Sequence, residues 1–350
     1  MTNNDQPLVS IIIVNYNAGE LLLNCIKSIL NSDYQNLEII LVDNISTDNS
    51  HKICKEKFQQ ITLIENSKNL GYCDGNNVGI KNSRGEYIVI MNPDTIVKSN
   101  WLNELFSAYK QFGDGIYQPK ILSLNEKGIL QSTGNMIHVF GFGYSRDVGL
   151  VDQNQRNKIE KIGYAAGTCL FTSSKIIQKI GLLDSFIFLY HDDVDFGWRA
   201  SQLGIFSYYV PNSIVYHVKS YVLKWSSQKF YWLERNRKYC ILTHYSKETY
   251  KKMRLTLFLT DILVWLAYIS KGFLIAKIKA EINIFKNKNI IKKRQKELES
   301  KKIITDIELI KTFPDTICIS GNSDGRGGNF FNSMISRLSI KAKNKIISKN

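Results

Sequence analysis

The chain has 350 residues, of which 44% are hydrophobic and 22% charged, enough for one large α/β domain with an extension and too apolar for a disordered chain. Its formal net charge of +15 calls for a negative partner: nucleic acid, anionic lipid or phosphorylated substrate. Six cysteines without CxxC spacing exclude a zinc ribbon or a disulfide framework and suit reduced thiols in the cytoplasm. The opening MTNNDQPLVS has no basic segment followed by an apolar one, so no signal peptide is expected.

Residues 8–15 (LVSIIIVN) form a continuous β-branched run, the pattern of a buried parallel strand. Residues 20–30 follow with helical spacing at Leu22, Leu23, Ile26, Ile29 and Leu30. A strand is expected over 37–42, a helix over 46–58 opened by Ser46 or Thr47, and a strand over 62–65. A helix over 74–82 and a strand over 87–91 (YIVIM) complete a βαβαβαβ order, which implies a parallel sheet covered by helices on both faces. Residues 101–111 read as a further helix, and 116–152 as turns and short strands. A strand over 165–172, helices over 173–181 and 193–202, and a strand over 205–210 follow. From Gln228 onward the chain reads as long, aromatic and helical. Residues 255–275 have about the length of a bilayer span but contain Asp261 and Lys271, so an interfacial or re-entrant amphipathic helix is expected ahead of a true span or an ordinary helix packed on the domain. Between Lys271 and Lys302, eleven basic residues face three acidic ones, either a solvated helical face or a surface drawn to anionic lipid. Residues 321–332, rich in Gly and Asn, read as loose.

Five motifs carry chemistry. In VDNISTDNS, Asp43 ends a strand, where open α/β sheets bind ligands; it either accepts the imide N–H of a pyrimidine or caps the following helix. In NLGYCDGNN, Gly71 permits close backbone approach. The Asn69 and Asn76 amides suit phosphate oxygens, as does the helix N-terminus that follows. Neither GxxxxGK[ST] nor GxGxxG occurs, against a P-loop ATPase or a dinucleotide dehydrogenase. In MNPDT, Asp94 follows an apolar strand and either binds a hard cation or belongs to a plain turn. HDDVDFGWR crowds carboxylates that raise one another's pKa, as a general base near neutral pH requires; a helix dipole explains only one or two of them. His217 stands alone on a strand, more often a structural residue than a ligand.

Together these motifs, in this order, resemble the inverting glycosyltransferases of family 2, particularly the rhamnosyltransferase-like members, over residues 8–245. The resemblance implies the GT-A fold, a mostly parallel sheet flanked by helices, here with a C-terminal helical membrane-associating extension. It implies a donor site of Asn15, Asp43, Asn69, Gly71, Asn76, Asn92 and Asp94, and a divalent metal, Mg²⁺ or Mn²⁺, on Asp94 and His217. His217 lies 24 residues beyond Asp193, which takes the place of the catalytic base. Asp192, Gly167, Thr168, Trp198 and Arg199 fall at the acceptor side, Trp198 as a stacking face or as core. The sequence departs from the family in Asn92-Pro93-Asp94, which lacks one carboxylate of DxD, and in Asp192, where a Glu is usual. It also lacks the QxxRW of processive synthases, so one or a few sugars are expected to be added.

The division expected is 1–245 catalytic, 246–310 membrane-associating and 311–350 a polar, flexible tail. The partners expected are a nucleotide-diphosphate sugar, with dTDP-rhamnose or UDP-hexose favoured, a saccharide or lipid-linked acceptor, and an anionic membrane surface, with no nucleic acid. Donor, acceptor and oligomeric state are open. Two other classes compete. A sugar nucleotidylyltransferase would place basic residues after the first strand, where NYNAGE has none. A non-catalytic membrane- or nucleic-acid-binding protein would have a basic face without HDDVD.

Overall fold

β1 (Val9–Asn15) is an interior strand of the main sheet because its β-branched side chains are buried on both faces. The computed structural model describes residues 6–218, 226–317 and 326–348. Contacts divide it into two units. The first comprises 1–135, 146–197 and 205–219, and the second 136–145, 198–204 and 220–350.

In the first unit the alternation proceeds as expected: α1 (Glu20–Leu30), β2 (Leu37–Asp43), α2 (Ser50–Lys57), β3 (Thr62–Glu65), α3 (Gly71–Lys81) and β4 (Tyr87–Met91). β5 (Thr95–Val97), α4 (Trp101–Phe112), β6 (Ile116–Ser123) and β7 (Leu130–Ser132) follow. β8 (Asn135–Ile137) and β9 (Gly143–Ser145) make a small separate sheet, largely in the second unit. β10 (Glu160–Ile162), β11 (Cys169–Ser173), α5 (Ser174–Ile180), α6 (Asp192–Gln202) and β12 (Ser207–His217) complete the first unit, to which α6 belongs through Gly197. The main sheet runs β10-β12-β6-β11-β4-β1-β2-β3, with β5 on β12 and β7 on β6. β4, β1, β2 and β3 are mutually parallel, so Asn15, Asp43 and Met91 end at one edge, while β11 enters antiparallel beside β4.

Several expectations are corrected. β6 is an eight-residue, wholly buried strand where turns and short strands are expected. Its polar Gln118 and Lys120 are buried because Ser132, the Ala166 amide and Asp152 satisfy them. α2 begins at Ser50, not Ser46, after Asn49 in the left-handed region. β12 extends to His217 through a bulge between Val210 and Ile214.

The second unit is helical: α7 (Ser227–His244), α8 (Lys247–Ser270), α9 (Leu274–Lys286), α10 (Lys288–Lys301), α11 (Asp306–Thr312) and α12 (Arg326–Ile347). The unit division falls before α7 rather than at 245, because α7 packs on α9 and α10. The apolar stretch 255–275 is not one helix: α8 ends at Ser270, Gly272 turns with φ 75°, and α9 begins at Leu274. α11 starts on a Thr305/Glu308 capping box, and within 311–350, expected as a polar, flexible tail, α12 buries Ile335, Leu338, Ala342 and Ile346. Of the stretch expected to be loose, 326–332 lies in α12 and 321–325 falls outside the described residues. Cys25, Cys54, Cys73, Cys169 and Cys240 are free and buried; Cys318 lies outside the described residues.

Candidate active site

Asn15 and Asp43 are register partners at the ends of β1 and β2. The Asn15 amide donates to Asp43 Oδ1 at 2.8 Å and reaches the Ser46 and Ser50 hydroxyls, while its oxygen accepts from the Ala18 amide. The Ser46 amide donates to Asp43 Oδ2 at 2.8 Å. His51 stands between Asp43 and Glu65, with each contact at 3.3 Å. Asp43 is therefore a positioned acceptor at a strand end, not the cap of α2. The polar atoms of Asn15 are engaged within the protein, where its amide holds Asp43.

The α3 start also differs from expectation. The Tyr72 and Cys73 amides both donate to the Phe188 carbonyl, so these amides are not open to a diphosphate. Gly71 has φ 72°, and a Cβ there would lie 2.5 Å from the Phe188 ring. The close approach of Phe188 requires a glycine here. Asn69 accepts from the Gly71 amide, and the fully buried Asn76 donates to the Tyr72 carbonyl. Asn44, which the sequence reading passed over, joins this turn to β2 by donating to the Gly71 carbonyl and accepting from Asn66.

Asp94 and His217 are brought together from far apart in sequence, because β5 pairs with β12 and sets His217 opposite Thr95. His217 Nε2 lies 3.3 Å from Asp94 Oδ2. Asp94 is 3% exposed, and its Oδ1 is buried without a hydrogen-bond partner. Gln131 accepts from His217 Nδ1 at 2.7 Å and donates to the His217 carbonyl at 2.8 Å. Because the Gln131 oxygen can only accept, Nδ1 carries the proton. In the neutral ring Nε2 then turns a lone pair toward a carboxylate, an arrangement satisfied by a proton or a shared cation. An orphaned carboxylate oxygen beside an oriented imidazole fits a divalent metal.

Asp192 and Asp193 open α6, after Phe188, Tyr190 and His191 in the left-handed region with φ of 65°, 64° and 63°. Non-glycine residues rarely occupy that region, and clusters of them mark functional sites. Asp193 accepts from the Gly167 amide at 3.2 Å and from the Val194 amide at 2.9 Å. Burial pushes Asp193 up to about 6 despite these donors. Burial, then the charge of Asp193, pushes the buried Asp192 well above the usual carboxylate range. Burial thus disfavours the charged form of both adjacent carboxyls, and the Asp193 charge disfavours that of Asp192 further. The Tyr72 hydroxyl donates to the Gly167 carbonyl at 2.5 Å, and Gln118 accepts from the Ala166 amide. Thr168 contributes its carbonyl to the Asn92 amide at 3.0 Å, tying the metal side to the base side. Tyr72, Gln118 and Gln131 escaped the sequence reading; for Gln118 the available signal was a polar residue inside an apolar run.

Trp198 is a correction. It belongs to the second unit, is 1% exposed, stacks on His244 at 4.7 Å and meets Tyr245 and Phe313 edge-on. It is core, with no face open to a sugar. Arg199 is buried as well.

Comparison with known proteins matches residues 10–181 to the model described as Glycosyl transferase family 2. The glycosyltransferase GlyG of Streptococcus pneumoniae is 38% identical over 30% of this chain and 36% of its own length. The low-salt glycan biosynthesis hexosyltransferase Agl10 of Haloferax volcanii is 28% identical over 56% of this chain and 62% of its own. The chain thus spans between about a third and two thirds of these relatives. Among solved structures, GalNAc-T7 with UDP, GalNAc and Mn²⁺ superposes with a TM-score of 0.59 at 16% identity, covering 74% of this chain and 51% of the other. That likeness establishes a shared GT-A fold.

Proposed function

We propose that this chain, a member of glycosyl transferase family 2 through residues 10–181, transfers a sugar from a nucleotide diphosphate to a hydroxyl acceptor with inversion at the anomeric carbon. The observation that carries this reading is Asp193: a carboxyl pushed up to about 6, fixed by the Gly167 and Val194 amides at a helix start. Such a group is ionised at neutral pH yet basic enough to take a proton. Asp193 accepts the proton of the acceptor hydroxyl as its oxygen bonds the anomeric carbon and the bond to the diphosphate oxygen breaks. The Asp192 carboxyl beside it is shifted the same way, by burial first and then by the Asp193 charge. Asp43, held by Asn15 and Ser46, offers its carboxylate to the base of the nucleotide. Asp94 and His217 would hold the divalent metal, Mg²⁺ or Mn²⁺, which offsets charge on the leaving diphosphate.

The donors favoured are dTDP-rhamnose and UDP-hexose, and the acceptor a saccharide or a lipid-linked saccharide in cell-surface glycan synthesis. The enzyme works in the cytoplasm, peripheral to the inner face of the cell membrane. A panel of thymidine-, uridine- and guanosine-diphosphate sugars, incubated with wild type and Asp193→Asn with and without Mn²⁺, tests the reading. Metal-dependent release of one nucleoside diphosphate, lost in the variant, is expected. Equal release by both proteins, or none from any donor with membrane extract as acceptor, would overturn it.

A further inference from the structure

α8 and α9 each bury one side and leave the opposite side apolar. On α8, Met253, Thr256, Thr260, Val264 and Tyr268 are buried, while Leu255, Phe258, Ile262, Leu266 and Ile269 form an exposed stripe at spacings of three and four. On α9, Ala276, Lys277 and Ala280 are buried, while Ile275, Ile278, Ile282 and Phe285 are exposed. Phe258 is 62% exposed, Ile275 69% and Phe285 72%. A surface helix of a soluble protein turns charged residues outward at these positions. The two helices pack on each other and turn Val264, Tyr268 and Ala276 into one buried cluster with Phe230, so both stripes face away from that cluster.

Exposed cations flank the stripes: Lys251 and Arg254 on α8, Lys279 and Lys286 on α9, none with a carboxylate partner among the described residues. Where the α8 stripe begins, a cleft of about 760 Å³ has Leu255 and Phe258 in its wall and Lys251, Arg254 and Lys345 among its lining residues. An apolar wall beside cations suits an acyl chain and its phosphate. A second copy of this chain would instead bring like charges together.

Among the described residues, α8 alone is long and apolar enough to cross a membrane. Its Asp261, however, is tied into a charge cluster. Lys277 Nζ lies 2.6 Å from Glu234, 2.7 Å from Asp261 and 2.7 Å from Glu281, and Lys238 lies 3.1 Å from Asp261. Arg237 holds Glu234 through two hydrogen bonds of 2.8 Å. The three carboxylates could pass for a metal site, but Lys277 already occupies their centre. The cluster joins α7, α8 and α9. A spanning α8 would either carry it into hydrocarbon or break it, and both are expensive.

We infer that α8 and α9 lie together in the plane of an anionic bilayer, with the Leu255–Ile269 and Ile275–Phe285 stripes in the acyl region and the cations at the headgroups, and that neither helix crosses it. This deepens the peripheral location proposed above and does not depend on the transfer chemistry.

Co-sedimentation of the full chain with vesicles tests it. The vesicles are phosphatidylcholine alone, or mixed with phosphatidylglycerol. Wild type should bind the anionic vesicles, bind neutral ones weakly and be released by alkaline carbonate. Phe258→Glu with Ile282→Glu should weaken binding at least about tenfold, since two large apolar side chains leave the acyl region. Its circular dichroism and donor hydrolysis should stay those of wild type. Lys279→Glu with Lys286→Glu should weaken binding to anionic vesicles alone. Three results would overturn the inference: wild-type binding by the folded Phe258/Ile282 variant, retention after carbonate as for a spanning helix, or no vesicle binding together with self-association that this variant abolishes. Loss of donor hydrolysis with intact vesicle binding would count against the enzymatic reading only.

Discussion

The Gly167 amide donates to Asp193 Oδ2 at 3.2 Å, so the carboxylate assigned as base is aimed by a loop rather than by its own helix alone. That loop is fixed in turn by Tyr72 on its carbonyl and by Gln118 one residue earlier. A Cβ at Gly167 would lie 2.9 Å from the Tyr72 hydroxyl and 3.1 Å from Asp192 Oδ2. Gly167→Ala should therefore lower kcat by roughly 10²-fold through a displaced base, with the circular dichroism spectrum unchanged. Steady-state kinetics on the purified variant checks this.

The raised pKa of Asp193 fixes the sign of two pH effects. The rate should rise with pH through about 6 as Asp193 ionises, and Asp193→Asn should remove that limb. Stability runs the other way. The folded carboxyl binds its proton more tightly than the ordinary value of 3.8, so its contribution to stability is present below that pH and is lost as pH rises through about 6. Thermal melts across that window should fall with pH in wild type and fall less steeply in Asp193→Asn, where Asp192 still contributes with the same sign.

Gln131 should matter without touching substrate. Gln131→Ala frees the His217 ring and should weaken Mn²⁺ binding by roughly 10- to 100-fold. Asp94→Ala should weaken it further. Isothermal titration with the metal alone, beside kcat at saturating metal, separates a positioning role from a structural one: at saturation Gln131→Ala should recover most of its rate.

Trp198→Ala should be a stability variant. Loss of a fully buried indole that stacks on His244 costs about 3–5 kcal/mol. The folded fraction should keep its acceptor KM. A raised acceptor KM at unchanged melting temperature would restore Trp198 to the acceptor site.

Much of the catalytic half was legible because its strands are buried on both faces and read as unbroken apolar runs, as in β1 and β4. The strand-end residues Asp43 and Asp94 follow from that placement. β6 was not legible, because Gln118 and Lys120 interrupt its pattern and their burial depends on Ser132, Ala166 and Asp152. The left-handed run before Asp192 leaves no compositional mark in Phe188, Tyr190 and His191. Asp261 reads in sequence as a penalty within an apolar stretch; only the fold sets Lys238 and Lys277 beside it. α12 did carry a signal: Ile335, Leu338, Ala342 and Ile346 recur at helical spacing behind a glycine-rich start.

Direct displacement by a hydroxyl that Asp193 deprotonates inverts the anomeric carbon. The anomeric configuration of the first product, read by NMR from a reaction with the donor that the panel selects, tests it most directly. A linkage of configuration opposite to that of the donor is expected, formed at a rate that collapses in Asp193→Asn. Retained configuration, or undiminished transfer by that variant, would contradict it.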